Sequence, residues 1–177
     1  SKSRAGGVLY SDYSLGRFFA EAARQPWFEN TIFLVTADHC ASSAGRTEIP
    51  LQKYHIPALI LAPGLIEPGV VDGIVSQIDL MPTLLSLLNM SYDSHFYGRS
   101  IFDPAYVNRA FIATYQDLGY LEGDTFTILS PVRRFEQYRV VPTEDNPHNL
   151  EPMETENPEQ VSRAIGYYQT SSAWNKR

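Results

Sequence analysis

Apolar residues recur along this chain in two rhythms. From Asp12 to about Gln25, Leu15, Phe18, Phe19, Ala22 and Ala23 fall at helical spacing, which predicts a helix that Pro26 brings to an end. Ser11 and Ser14 read as residues of its start. Thr31-Ile32-Phe33-Leu34-Val35-Thr36-Ala37 is a short, nearly continuous apolar run rich in β-branched residues. That is the pattern of a strand buried on both faces, as in a parallel sheet covered by helices. Residues 40–53 are small and polar, with Gly45 and Pro50, and predict a loop. A second buried strand is expected over Ile56–Ala62, with Pro57 confined to its start or to an edge. Pro63-Gly64 and Pro68-Gly69 bracket a short connection. Asp79 then reads as the N-cap of a helix. Pro82 is tolerated in its first turn, and Leu80, Leu84, Leu85, Leu87 and Leu88 form its core stripe. Strands alternating with helices in this order predict an α/β layer architecture.

The second half changes character. Residues 110–115, 125–129 and 137–141 are short strand candidates, separated by Asp117-Leu118-Gly119 and Pro131-Val132-Arg133-Arg134, and predict a small antiparallel meander. Residues 142–158 hold four prolines and five acidic residues and read as a surface excursion. A last helix is predicted from Asn157 as N-cap and Pro158 at the first helical position, running through Val161, Ala164, Ile165 and Tyr168.

Composition narrows the function. The 177 residues suffice for one domain with a core, and fourteen basic against twenty acidic residues give a net charge of −6. With no long basic cluster, binding to a nucleic-acid backbone is not expected. One cysteine excludes an internal disulfide. No apolar run approaches the roughly 20 residues that cross a bilayer, so the chain as it stands is expected to be soluble.

The sharpest chemical feature is Thr36-Ala37-Asp38-His39, at the end of the first predicted strand. One carboxylate beside one imidazole suits a divalent cation such as Zn²⁺ or Mn²⁺. Neighbours on a strand point to opposite faces, so the two side chains converge only if the backbone leaves strand geometry there. The local alternative is an N-cap Asp with an incidental His. Cys40 can add a thiolate or serve as a small buried residue. His55 either faces the same cleft or is a hydrogen-bonded structural residue, while His95 and His148 fall in polar loops and are expected to be solvated. Arg46 offers a planar fork of donors to an anionic substrate group, with a solvated loop arginine as the alternative. There is no G-x-S-x-G elbow, P-loop or G-x-G-x-x-G, and no Ser or Thr nucleophile at an earlier strand–helix junction.

Three segments taken together resemble a known family. Asn30 to His39, Lys53 to Ile60 and Ser76-Gln77-Ile78-Asp79-Leu80-Met81-Pro82-Thr83-Leu84-Leu85 are similar to the carboxyl-terminal half of the sulfatase domain. The resemblance points to the lipoteichoic acid synthase-like, phosphoglycerol transferase group of the alkaline phosphatase superfamily. It implies an α/β fold, with a partial alkaline phosphatase-like sheet covered by helices over residues 1–105. An antiparallel subdomain with a terminal helix follows over 106–177. It implies that Asp38 and His39 bind a divalent metal, with Mn²⁺ or Mg²⁺ expected and Zn²⁺ or Ca²⁺ the alternatives. Gln77 to Leu84 is assigned to structure.

The family's nucleophile, a Thr or the modified Cys/Ser of sulfatases, its other metal carboxylate and its phosphate-holding His residues lie upstream of the matching segments. The resemblance therefore implies part of a phosphoglycerol transferase or phosphodiesterase that acts through a covalent intermediate, inactive in isolation. A sulfatase and a non-catalytic interaction module are the competing readings. It further implies phosphate- or sulfate-ester substrates and a membrane-anchored parent with this domain outside the cytoplasm. The amino-terminal half of the domain is the expected partner, and self-association is expected of the fragment.

Overall fold

A computed structural model describes residues 3–40 and 49–174. The chain forms two compact units, one made of residues 1–36 and 58–70 and the other of 37–57 and 71–177.

In the first unit, helix α1 (Arg4–Ala22) starts where the Ser3 hydroxyl accepts the Gly6 amide, eight residues before the predicted start. The Gly6-Gly7 pair hides this opening from the apolar periodicity. Ser11 and Ser14 are therefore mid-helical, and Ser14 bonds back to the Tyr10 carbonyl. Only Ala22 of α1 is buried, while Val8, Leu9, Tyr10 and Tyr13 are exposed. Strand β1 (Phe33–Thr36) pairs with β2 (Ala58–Leu61) from Phe33↔Leu61 to Thr36↔Ala58. The pairing is antiparallel, which corrects the expectation of parallel strands buried on both faces. The strands are half-buried to exposed, and a continuous apolar run carries no information about strand direction. Pro57 sits just ahead of β2, as expected. Phe33 anchors an aromatic group with Phe18, Phe19, Trp27 and Phe28, its ring centroids 5.3–6.2 Å from theirs.

The second unit holds a five-stranded antiparallel sheet in sequential order: β3 (Arg109–Ala113), β4 (Leu118–Glu122), β5 (Thr125–Ser130), β6 (Arg134–Val140) and β7 (Leu150–Pro152). The meander is as expected but has two further strands. Gly119 concealed β4, yet it lies where an added Cβ would come within 2.7 Å of the Phe126 ring, so the strand packs through the absence of a side chain. The proline-rich stretch concealed β7, an edge strand in which Pro152 is tolerated. Ile49, Leu51, Ile112, Leu121 and Phe126 form the core on one face. Helix α3 (Pro158–Trp174) begins as expected, the Asn157 side chain accepting the Gln160 amide, and buries Val161 and Ala164.

A 3₁₀ turn, Gln77–Asp79, leads into α2 (Leu80–Leu87). Asp79 precedes α2 as expected, but its side chain does not cap that helix. The fully buried carboxylate turns back to accept the Ser76 amide, then takes the Arg99 amide at 2.9 Å and the Tyr106 hydroxyl at 2.9 Å. The buried Arg109 guanidinium grips it with both terminal nitrogens at 3.0–3.2 Å and spends another donor on the Tyr97 carbonyl. Gly98 lies so close to this turn that a Cβ there would stand 2.0 Å from the Ile78 carbonyl oxygen. Burial and the bond to Asp79 push the Tyr106 hydroxyl well above its ordinary pKa.

His148 departs from expectation. Its Nδ1 is buried with no hydrogen-bond partner among the described residues, and its ring stands 5.5 Å, edge-on, from that of His55. Burial, then the neighbouring His55, lower its pKa from the ordinary 6.5.

Two measurements follow from this packing. Arg109→Met should lower unfolding free energy by about 3–5 kcal/mol, because it strands a buried carboxylate. A denaturant midpoint equal to that of the wild type would contradict the role given to the pair. For His148, the unfolded chain takes up its proton at higher pH than the folded one. The stability held by the neutral ring is thus present above about pH 6.5 and lost as pH falls through the lower folded value. His148→Phe should flatten the decline of stability below that pH; an unaltered decline would assign it to other groups.

Candidate functional site

Asp38 and His39 lie one residue beyond the end of β1, where the chain bends out of extended geometry. That bend is the condition under which adjacent side chains can converge, and here they do. The His39 amide donates to Asp38 Oδ1 at 2.9 Å, which holds the carboxylate against its neighbour. Asp38 Oδ2 then stands 3.5 Å from His39 Nε2. His39 Nδ1 lies 2.8 Å from the Cys40 carbonyl oxygen. A carbonyl can only accept, so Nδ1 carries the proton, and in the neutral ring the lone pair is on Nε2. Both side chains are open, at 87% exposure for Asp38 and 74% for His39.

This donor pair fits a divalent cation. Two ligand atoms each about 2.0–2.2 Å from one tetrahedral ion stand about 3.4 Å apart, and closer to about 3.0 Å around an octahedral one. The observed 3.5 Å lies near the first of these. Without an ion, the same contact is an exposed carboxylate–imidazole pair that gains charge when His39 is protonated. Among the described residues no group of three or more His, Cys, Asp or Glu is placed to hold a metal.

The bend is tied down from elsewhere in the second unit. The Gln77 side-chain amide donates to the carbonyl oxygens of Ala37 at 3.1 Å and Asp38 at 3.3 Å. Gln77 belongs to the turn whose third residue is Asp79. The sequence placed this segment in structure and gave no sign of the tie, since the two partners are about forty residues apart.

The other candidates are dispersed. Cys40 is a half-buried free thiol whose backbone carbonyl accepts from His39 Nδ1. His55 packs on His148, and His95 stacks at 4.8 Å on Trp174. Arg46 lies outside the described residues. No helix among the described residues is long and apolar enough to cross a membrane.

Comparison with known proteins gives this geometry its context. The family described as Sulfatase matches residues 2–90, a span that contains Asp38, His39 and Gln77. An arylsulfatase of Clostridium perfringens is 30% identical over 107 residues, which cover 55% of this chain and 22% of that protein. A protein of the alkaline phosphatase superfamily from Vibrio parahaemolyticus superimposes with a TM-score of 0.84 and 31% identity. The match takes in 98% of this chain and 42% of that one. The chain thus spans less than half the length of either relative. Its α/β fold, with antiparallel sheets and a terminal helix, is that of an alkaline phosphatase superfamily neighbour. By the match over half its length, the chain belongs to the sulfatase family.

Proposed function

We propose that Asp38 and His39 are two ligands of a divalent cation in an enzyme that transfers or hydrolyses phosphate esters. The enzyme is a phosphoglycerol transferase or phosphodiesterase of the lipoteichoic acid synthase-like group. The observation that carries this reading is the 3.5 Å approach of Asp38 Oδ2 to His39 Nε2, with the other atom of each group already engaged. A divalent cation at such a site lowers the pKa of a nucleophilic hydroxyl and stabilises negative charge on the oxygens of the ester. Mn²⁺ or Mg²⁺ is the proposed ion on the resemblance, with Zn²⁺ or Ca²⁺ as alternatives; the 3.5 Å separation taken alone is closer to the tetrahedral spacing of Zn²⁺.

Asp38 contributes a hard anionic oxygen and His39 a neutral nitrogen. Neither group is the nucleophile in this proposal, which assigns that role to a Thr hydroxyl outside these residues. Arg46 is proposed to bind the anionic group of the ester. The parent is proposed to be membrane-anchored with this domain outside the cytoplasm. The exposed apolar residues of α1 support the idea that the chain works against a further segment or a second copy.

A second reading is a sulfatase, which the likeness to the arylsulfatase favours. Sulfate and phosphate esters place similar demands on the cation, and the two readings differ in the nucleophile.

Calorimetric titration of the chain with Mn²⁺ and Zn²⁺ tests the site. Weak binding is expected, and Asp38→Ala or His39→Ala should reduce it by at least the about 10–100-fold that even outer-shell partners are worth. Binding that survives both substitutions would place the metal elsewhere. Assayed with a chromogenic phosphodiester and a chromogenic sulfate ester, the full-length parent should turn over the former faster in the presence of metal. The present chain alone should show negligible turnover; metal-dependent hydrolysis by it would overturn that expectation.

A further inference from the structure

We infer that Gln77 is the positioning residue of the Asp38–His39 site, holding the ligand-bearing bend in shape against the buried turn that contains Asp79. The inference rests on the proposed metal site for its functional meaning, and on geometry for the tie itself.

One amide group spans two consecutive carbonyls. Gln77 Nε2 has two hydrogens and lies 3.1 Å from the Ala37 oxygen and 3.3 Å from the Asp38 oxygen. Those oxygens belong to the two peptide units whose N–H groups are those of Asp38 and His39. The tie therefore restrains the backbone planes on either side of the Asp38 α-carbon, and with them the direction in which the Asp38 side chain leaves the chain and the plane from which His39 departs. Among the described residues, the other hydrogen bonds of Asp38 and His39 involve only neighbouring residues, and both side chains are open to solvent.

The anchor at the other end is rigid. Ser76 is buried and closes a capping box with Asp79, while Asp79 is held by Arg109, Tyr106 and the Arg99 amide. Gln77 stands between these two fixed residues, and its neighbour Ile78 is held under Gly98. An exposed glutamine rooted in a buried turn loses less freedom on making the bond than one on a loop would, which favours a lasting contact. The position calls for a donor with two hydrogens. A glutamate would set a carboxylate against two carbonyl oxygens, and a leucine would fill the volume with no donor at all.

The test compares the wild-type chain with Gln77→Leu by hydrogen exchange without metal, and by Mn²⁺ or Zn²⁺ titration. The expected result is faster exchange across residues 37–40, with α2 and the β-sheet unchanged. Metal affinity should fall about tenfold, at the lower end of what outer-shell partners contribute. The melting temperature should stay within about 2 °C, as befits an exposed substitution. With Co²⁺ as the probe, the visible spectrum should broaden in the variant, a change that a general loss of stability would not produce. Unchanged exchange at residues 37–40 would overturn the positioning role whether or not metal binds. Faster exchange in a chain whose wild type binds no metal would uphold the tie and overturn the metal reading instead. Faster exchange with wild-type metal affinity would show that the tie does not serve the site, and would also overturn the inference.

Discussion

A carboxylate with no contact to water organises the second unit. Asp79 receives three charge-assisted bonds from Arg109, one hydroxyl and two backbone amides, so that each of its oxygens is satisfied from several directions. Burying a charge costs several kcal/mol, and a pair this well bonded offsets that cost without adding a large surplus. What the arrangement supplies is definition. It joins the turn before α2, the segment around Arg99, Tyr106 and the first strand of the sheet at one point. A purely apolar contact could bring those four pieces together with far less control over orientation.

That definition reaches the surface through Gln77. The open pair and the buried carboxylate sit at opposite ends of one short connection, and they use the same functional group in opposite ways. Asp79 is consumed by its neighbours, whereas Asp38 has one oxygen held by a backbone amide and the other turned toward an imidazole nitrogen. The proposed cation site needs the second condition, and the first anchors the turn from which Gln77 reaches the bend.

How much of this could be read from the chain depends on the range of each interaction. Asp38-His39, the bend they need, the Asn157 cap and the hairpin sequence near Arg134 are local, and residue order expresses them. The start of α1 was obscured by two glycines, β4 by Gly119 and β7 by Pro152, because the properties that make these residues breakers in isolation are overridden by pairing and capping. Strand direction in β1 and β2 has no local expression. Arg109 illustrates the limit most clearly. It appears in the sequence as an unremarkable residue ahead of a strand, and only folding brings it to an acid thirty positions away. The bond from Gln77 to the bend is invisible for the same reason. His148, expected in solvent, has a buried Nδ1 and stands edge-on to a ring that lies in another segment.

Gly98 carries a consequence for how proteins built this way can diverge. Its α-carbon faces a peptide oxygen with no space for a methyl group, and that oxygen cannot retreat without disturbing the acid beside it. Phe96 and Phe102, on the outer side of the same stretch, are half exposed and free of such a barrier. Substitutions can accumulate on the rim of this loop while its innermost point stays closed to every other amino acid, so the ion pair beneath is shielded from gradual change.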